Sequence, residues 1–251
     1  MFILASEIYM SAFDALKSQL ARYRALEHHQ NPALAAQLAA VQAWQKNRMQ
    51  HTHRELFAQP EHQLMAHYFL NRLYGGADFE ILADQFERVL LKAHKIEKIA
   101  PASAVNTGTL GIELAVLAIE LDEQLAKLLL LRPTDRITDE MMLDAYLDAD
   151  QAERRQHQMA VLNELGLKLD KYVRSLMIQT AFKMAKNTAY KHDFAPVYDF
   201  TAEGFAAMKS LDSAAGFIEA FTQAECEIIR RVHQQLPDPF ARLAPAEAAT
   251  I

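Results

Sequence analysis

An all-α protein is the fold class this sequence predicts, and three observations carry the prediction. Apolar residues recur at helical spacing along most of the 251 residues. Only 7 glycines and 8 prolines are present, too few for the many turns of a β-rich chain of this length. The third observation is the stretch His67-Tyr68-Phe69-Leu70-Asn71-Arg72-Leu73-Tyr74-Gly75-Gly76, which packs an aromatic and aliphatic cluster into two helical turns and then stops them. The expected architecture is a single-domain multi-helix bundle over 1–236, of about nine helices around a buried central helix at 105–131. A mobile tail at 237–251, rich in Ala and Pro with little to bury, completes the chain.

Taken in order, residues Ser6 to His29 hold Ile8, Phe13, Leu16, Leu20 and Tyr23 at helical spacing, and Asn31-Pro32 breaks the pattern. A second helix runs to about Gln59 and carries Trp44, Arg48 and Glu55. Pro60 then reopens the chain at the first turn of a third helix. There Phe69 and Leu73 lie one turn apart, as do Leu70 and Tyr74, with Met65 and Ala66 continuing the strip while Asn71 and Arg72 look away. Gly75 and Gly76 supply the left-handed positions that end a helix, and Asp78 with Glu80 offers an N-cap and a first-turn acid for the next. That second arm places Phe79, Leu82, Phe86, Val89, Ala93 and Ile96 on one stripe, expected to pack against Phe69 and Tyr74 as a helical hairpin over 61–99.

After the break at Ala100–Ser103, residues 105–131 are apolar almost all round, from Leu110 and Ile112 to Leu125 and Leu128, as a central helix should be. Arg132–Asp135 ends it, and Thr138 caps an acidic segment bearing Met141, Met142, Leu143 and Tyr146. Between Gln151 and Tyr190 the helical period continues through Val161, Leu165, Leu169, Tyr172, Leu176 and Phe182, with Gly166 as the expected kink. Phe194-Ala195-Pro196 reads as a loop. Two final helices are expected at Thr201–Met208 and Ser213–Gln235, the latter turning Phe217, Phe221, Ile228 and Val232 inward until Pro237 and Pro239 stop it.

The third-helix stretch also carries a resemblance, to the bacterial proteins named for an FFLEELY motif. Phe69, Leu70, Leu73, Tyr74 and Gly75 match that pattern, with Tyr68 in place of its first Phe, and Asn71 and Arg72 stand where the motif has two glutamates. Trp44-Gln45 and the segment from Arg155 to Gly166 are similar as well. Membership implies an all-helical fold, a packing role for the apolar positions, and no particular activity.

Composition narrows the functional classes. Hydrophobic residues at 51% and charged residues at 23% describe a soluble globular chain. The single Cys226 forms no internal disulfide and fits a reducing compartment, so a cytoplasmic location is expected. Met1–Ala5 is apolar but has no basic residue before it and is interrupted by Glu7, unlike a signal peptide. In 112–131 the charges Glu113, Glu120, Asp122, Glu123 and Lys127 argue against a membrane span. A net charge of −6 disfavours a general nucleic-acid binder.

Motifs for chemistry are incomplete. No acidic residue lies three positions before any histidine, so the Glu-x-x-His pairs of di-metal bundles are absent, and His51 and His53 point about 200° apart on a helix. No metal or cofactor is expected; the histidines read as surface or capping residues. Glu80, Asp84, Glu87 and His94 align on a strip that faces solvent, well away from the Phe79-Phe86-Ala93 stripe. Asp148-Ala149-Asp150 lacks the glycine and glutamate of a calcium loop, and Gly108-Thr109-Leu110-Gly111 lacks a phosphate loop's Lys-Ser/Thr, which leaves close helix packing as the use of that glycine pair. Six acids occupy 139–153 and eight bases 154–192, two blocks that screen one another or face water.

The better candidate is a polar seam on the central helix formed by Asn106, Thr109, Glu113, Glu120, Gln124 and Lys127. If enclosed, its carboxyls would have raised pKa values suited to acid-base work; a single polar strip on a helix is more often where it meets water. The expected function is a non-catalytic protein-interaction or regulatory module, with a protein partner or a second copy of the chain. The alternative is a helical-bundle enzyme or small-ligand binder that uses the seam.

Overall fold

The computed structural model describes residues 12–75, 78–91, 102–132 and 136–242. Eleven α-helices and no strand are found among them, so the fold is all-α. In chain order these are α1 (Ala12–Arg24), α2 (Pro32–Thr52), α3 (Arg54–Ala58), α4 (Gln63–Tyr68), α5 (Asp78–Leu90), α6 (Ala102–Leu130), α7 (Asp139–Ala149), α8 (Ala152–Arg174), α9 (Leu176–Lys191), α10 (Ala195–Lys209) and α11 (Ala214–His233). A 3-10 turn at Glu27–His29 follows α1, and a π-helical turn at Phe69–Leu73 continues α4.

Local chemistry sets most of the boundaries. Asn31, Thr138, Ser175 and Ser213 each lie in extended backbone and accept a bond from the amide three residues on, which satisfies one of the donors a helix start leaves over. Gly75 stands at φ +56°, the left-handed conformation expected of it. Asp78 opens α5 from inside its first turn and pairs with Arg72. Residues 93–99 of the expected hairpin, His94 among them, lie outside the described residues.

Three apolar clusters hold the bundle. Leu16, Leu20 and Tyr23 of α1 meet Ala83 of α5 and Ile112 and Val116 of α6. Leu34, Leu38 and Val41 of α2 meet Leu125 and Leu129 of α6, Met142 and Tyr146 of α7, and Ile228 and Val232 of α11. Tyr68, Leu162, Leu165, Phe217, Ile218 and Phe221 form the third, around α4, α8, α10 and α11. Among the described residues no helix is long and apolar enough to cross a membrane.

The central helix lies where the sequence put it, with Val116, Leu121, Leu125 and Leu129 sealed inside. α1, α2, α7 and α8 pack along it, and the hairpin reaches it as well, through Ala83 against Ile112 and Val116 and through the Tyr74 hydroxyl, which donates to Asp122. The arms of that hairpin also part company, since Phe79 and Phe86 pack with α1 and α6 while Phe69 meets Phe221 edge-on, ring centres 4.8 Å apart. The expected kink moves too. Gly166 sits inside unbroken α8 because Ile218 crosses it closely, and the break comes at Ser175 instead. At the C-terminal end Phe240 is 8% exposed, edge-on to Trp44 and tilted against Tyr146, so the packed part of the chain continues past Pro239.

Candidate functional site

Between α5, α6, α8, α9, α10, α11 and the α4 turn lies a cavity of about 430 Å³. Its wall is almost wholly apolar: Phe69, Phe86, Ile112, Leu165, Phe200 and Phe217 come from six different elements, and the polar residues along it are Arg72, Thr107, Thr201 and the hydroxyls of Tyr68 and Tyr172. Four of the chain's seven glycines, Gly108, Gly111, Gly166 and Gly204, line it from the middle of helices. Two of them serve close approach. A Cβ on Gly204 would stand 2.8 Å from the Tyr68 hydroxyl, and one on Gly166 would stand 2.3 Å from Cδ1 of Ile218. The other two do not. A Cβ on Gly108 would meet nothing within 4 Å, and one on Gly111 only Leu165, at 3.9 Å, so this pair leaves space where close packing was expected.

The aromatic stretch builds part of that wall. Tyr68, Phe69 and Leu73 face the cavity, Tyr68 being held by a bond from its hydroxyl to the Phe200 carbonyl oxygen at 3.1 Å. Leu70 is buried beside them, and Tyr74 with Gly75 closes the turn. The two positions where the resembled motif has glutamates put no carboxylate inside: Asn71 is exposed and bonds back to His67, while Arg72 sits at the rim between Asp78 and Glu203.

Behind Phe69, Leu73, Leu162, Leu165 and Phe221, which line both, a second space of about 80 Å³ brings charged side chains to a mostly apolar wall. Arg48, Gln45, Tyr74, Asp122, Arg155 and Glu225 surround it. Arg48 forks onto Glu225 through both Nη atoms, and His53 reaches the same carboxylate from the point where α2 ends and α3 begins. Burial alone would raise the Glu225 carboxyl, but the Arg48 charge and the His53 bond outweigh it and hold it down at about 2. Asp122 is pushed up by burial, only partly offset by Arg155, by the Tyr74 hydroxyl that donates to it at 2.5 Å, and by Gln45. Two of the buried side chains, Arg48 and Arg155, each have an Nε–H with no partner.

The predicted seam lies elsewhere. Glu120 accepts from Arg22 and Arg154 at the surface, and with Gln124 and Lys127 it lines a shallow polar hollow. Glu113 is 3.9 Å from His157, Asn106 is exposed, and Thr109 is buried. The six residues are therefore not gathered around one enclosed space. The deeply buried acids of α6 are the neighbouring Asp122 and Glu123, one helical step off the seam. Burial acts to raise Glu123, yet the backbone and ring of His28 together with Lys127 keep it low. His28 and His53 thus hold structural carboxylates, contrary to a surface or capping role for every histidine. Glu80, Asp84 and Glu87 do face solvent, gripped together by Arg24.

No group of three or more His, Cys, Asp or Glu side chains with metal-binding geometry occurs among the described residues. The chain belongs to a family defined by a domain of unknown function, DUF8198, whose model matches residues 7–239. That span contains every wall of both cavities. No curated protein and no solved structure matches the chain.

Proposed function

We propose that this protein binds a small apolar or amphiphilic molecule in the cavity between α6, α8 and α10. The observation that carries the reading is the space itself. At about 430 Å³ it falls within the roughly 300–1,000 Å³ of small-molecule sites, and folded interiors rarely leave such volume among apolar side chains. Gly108 and Gly111 add to the support, because a glycine inside a helix costs about 1 kcal/mol against alanine and neither is required by a neighbour. The lone, half-buried Cys226, its thiol pushed up by burial and by Glu225, suits a cytoplasmic setting.

Titration with N-phenyl-1-naphthylamine, an uncharged dye that brightens in apolar surroundings, tests the reading. One saturable site is expected, lost in Gly111→Leu, which fills the cavity, and kept in Leu176→Glu on the outer surface. Equal dye binding by both variants would place the site elsewhere.

The interaction module is the second reading, favoured by α9. This helix has no buried residue and leaves Leu176, Met177 and Met184 between 76% and 79% exposed. A second copy of the chain is its proposed partner. Sedimentation of the wild type should then show a dimer that Met177→Glu with Met184→Glu converts to monomer; a wild-type monomer at high concentration removes this reading.

A further inference from the structure

The smaller space is lined by two buried arginines, Arg48 and Arg155, and two buried carboxylates, Glu225 and Asp122, and the two pairs are not equally close. Arg48 is matched, since both its Nη atoms reach Glu225 or Gln45. Arg155 is not. It is 7% exposed, its Nη2 donates to the Leu121 carbonyl oxygen at 3.3 Å, and its nearest carboxylate oxygen, on Asp122, is 4.0 Å from Nη1. Asp122 is engaged instead by the Tyr74 hydroxyl and by Gln45, and burial pushes its carboxyl up while Arg155 acts the other way. The remaining support for the guanidinium is the face of Tyr146, 4.5 Å from Cζ.

Five N–H donors on a planar guanidinium are suited to a two-oxygen anion, and buried donors are ordinarily satisfied. Here the Nε–H groups of Arg155 and Arg48 both lack a partner, and both side chains line the 80 Å³ space. That space has room for several water molecules, enough for a carboxylate, and Phe69, Leu73, Leu165 and Phe221 line both it and the apolar cavity. We infer that the ligand is an amphiphile with a carboxylate head, the head bound by Arg155 with Arg48 beside it and the hydrocarbon chain lying in the apolar cavity. This rests on the ligand-binding reading above and adds the head group to it.

Dodecanoate and dodecanol, of equal chain length, separate the two statements. The wild type should bind dodecanoate about ten-fold or more tightly than dodecanol, the range that charged hydrogen bonds supply. Arg155→Met should erase the difference by weakening dodecanoate alone, and Arg155→Lys should restore part of it. Equal affinity of the wild type for acid and alcohol overturns the carboxylate assignment and leaves the cavity reading standing. Binding of neither overturns both. Should Arg155→Met fail to fold, the wild-type comparison still decides.

Discussion

Glu225 is where single side chains matter most to this fold. It joins Arg48 and His53 across 177 and 172 positions of sequence in an apolar setting, so removing it leaves a buried cation without its partner. Glu225→Gln is expected to destabilise the protein by about 3–5 kcal/mol in urea unfolding at neutral pH. Its folded pKa of about 2 lies below the ordinary 4.5, so the unfolded chain takes up the proton first as pH falls. The stabilisation is therefore complete above pH 4.5 and is lost as pH falls from there through about 2. Urea midpoints measured from pH 7 down to pH 2 should fall steeply over that window in the wild type and more shallowly in Glu225→Gln. At this scale the sequence was legible only where chemistry is local: the apolar strip around Phe69 was readable as buried, whereas a pair 177 residues apart leaves no motif, and Arg48 looks like any arginine on a helix.

Helices were the most legible level, because spacing and caps are both written locally. Asn31, Thr138 and Ser213 mark starts that the structure reproduces. Ser175 was missed since apolar spacing runs on through Tyr172 and Leu176, and a break that keeps the period is invisible to it. The helix glycines divide by what faces them. Gly166→Ala should cost about 1–3 kcal/mol, because the new methyl meets Cδ1, Cγ2 and Cβ of Ile218 and the crowding outweighs the propensity gain. Combining it with Ile218→Val, which deletes the closest atom, should recover part of that loss in thermal unfolding. Gly108→Ala should instead stabilise by about 0.5–1 kcal/mol, as nothing obstructs it. Opposite signs for these two alanines would support the stated division; a loss at both would contradict the open space at Gly108.

For the whole molecule, the all-α class followed from composition and periodicity, while the arrangement did not. Which helices flank α6 depends on complementary surfaces far apart in sequence, so the packing of α1 and α2 along it leaves no local sign. The cavity left one trace, four mid-helix glycines in a chain with few, which gain meaning only when the fold brings them to one wall. The seam was judged from one helix, although enclosure is a property of several.

Thermal unfolding with ligand tests the central claim most directly. A molecule that binds the folded protein alone at one hundred times its Kd adds about 2.7 kcal/mol, which for a chain of this size raises Tm by roughly 5–10 °C. The wild type with saturating dodecanol should show that rise, and Gly111→Leu, its cavity filled, should melt at the same temperature with and without the alcohol. An equal rise in both proteins, or none in either, would contradict a ligand site inside the bundle.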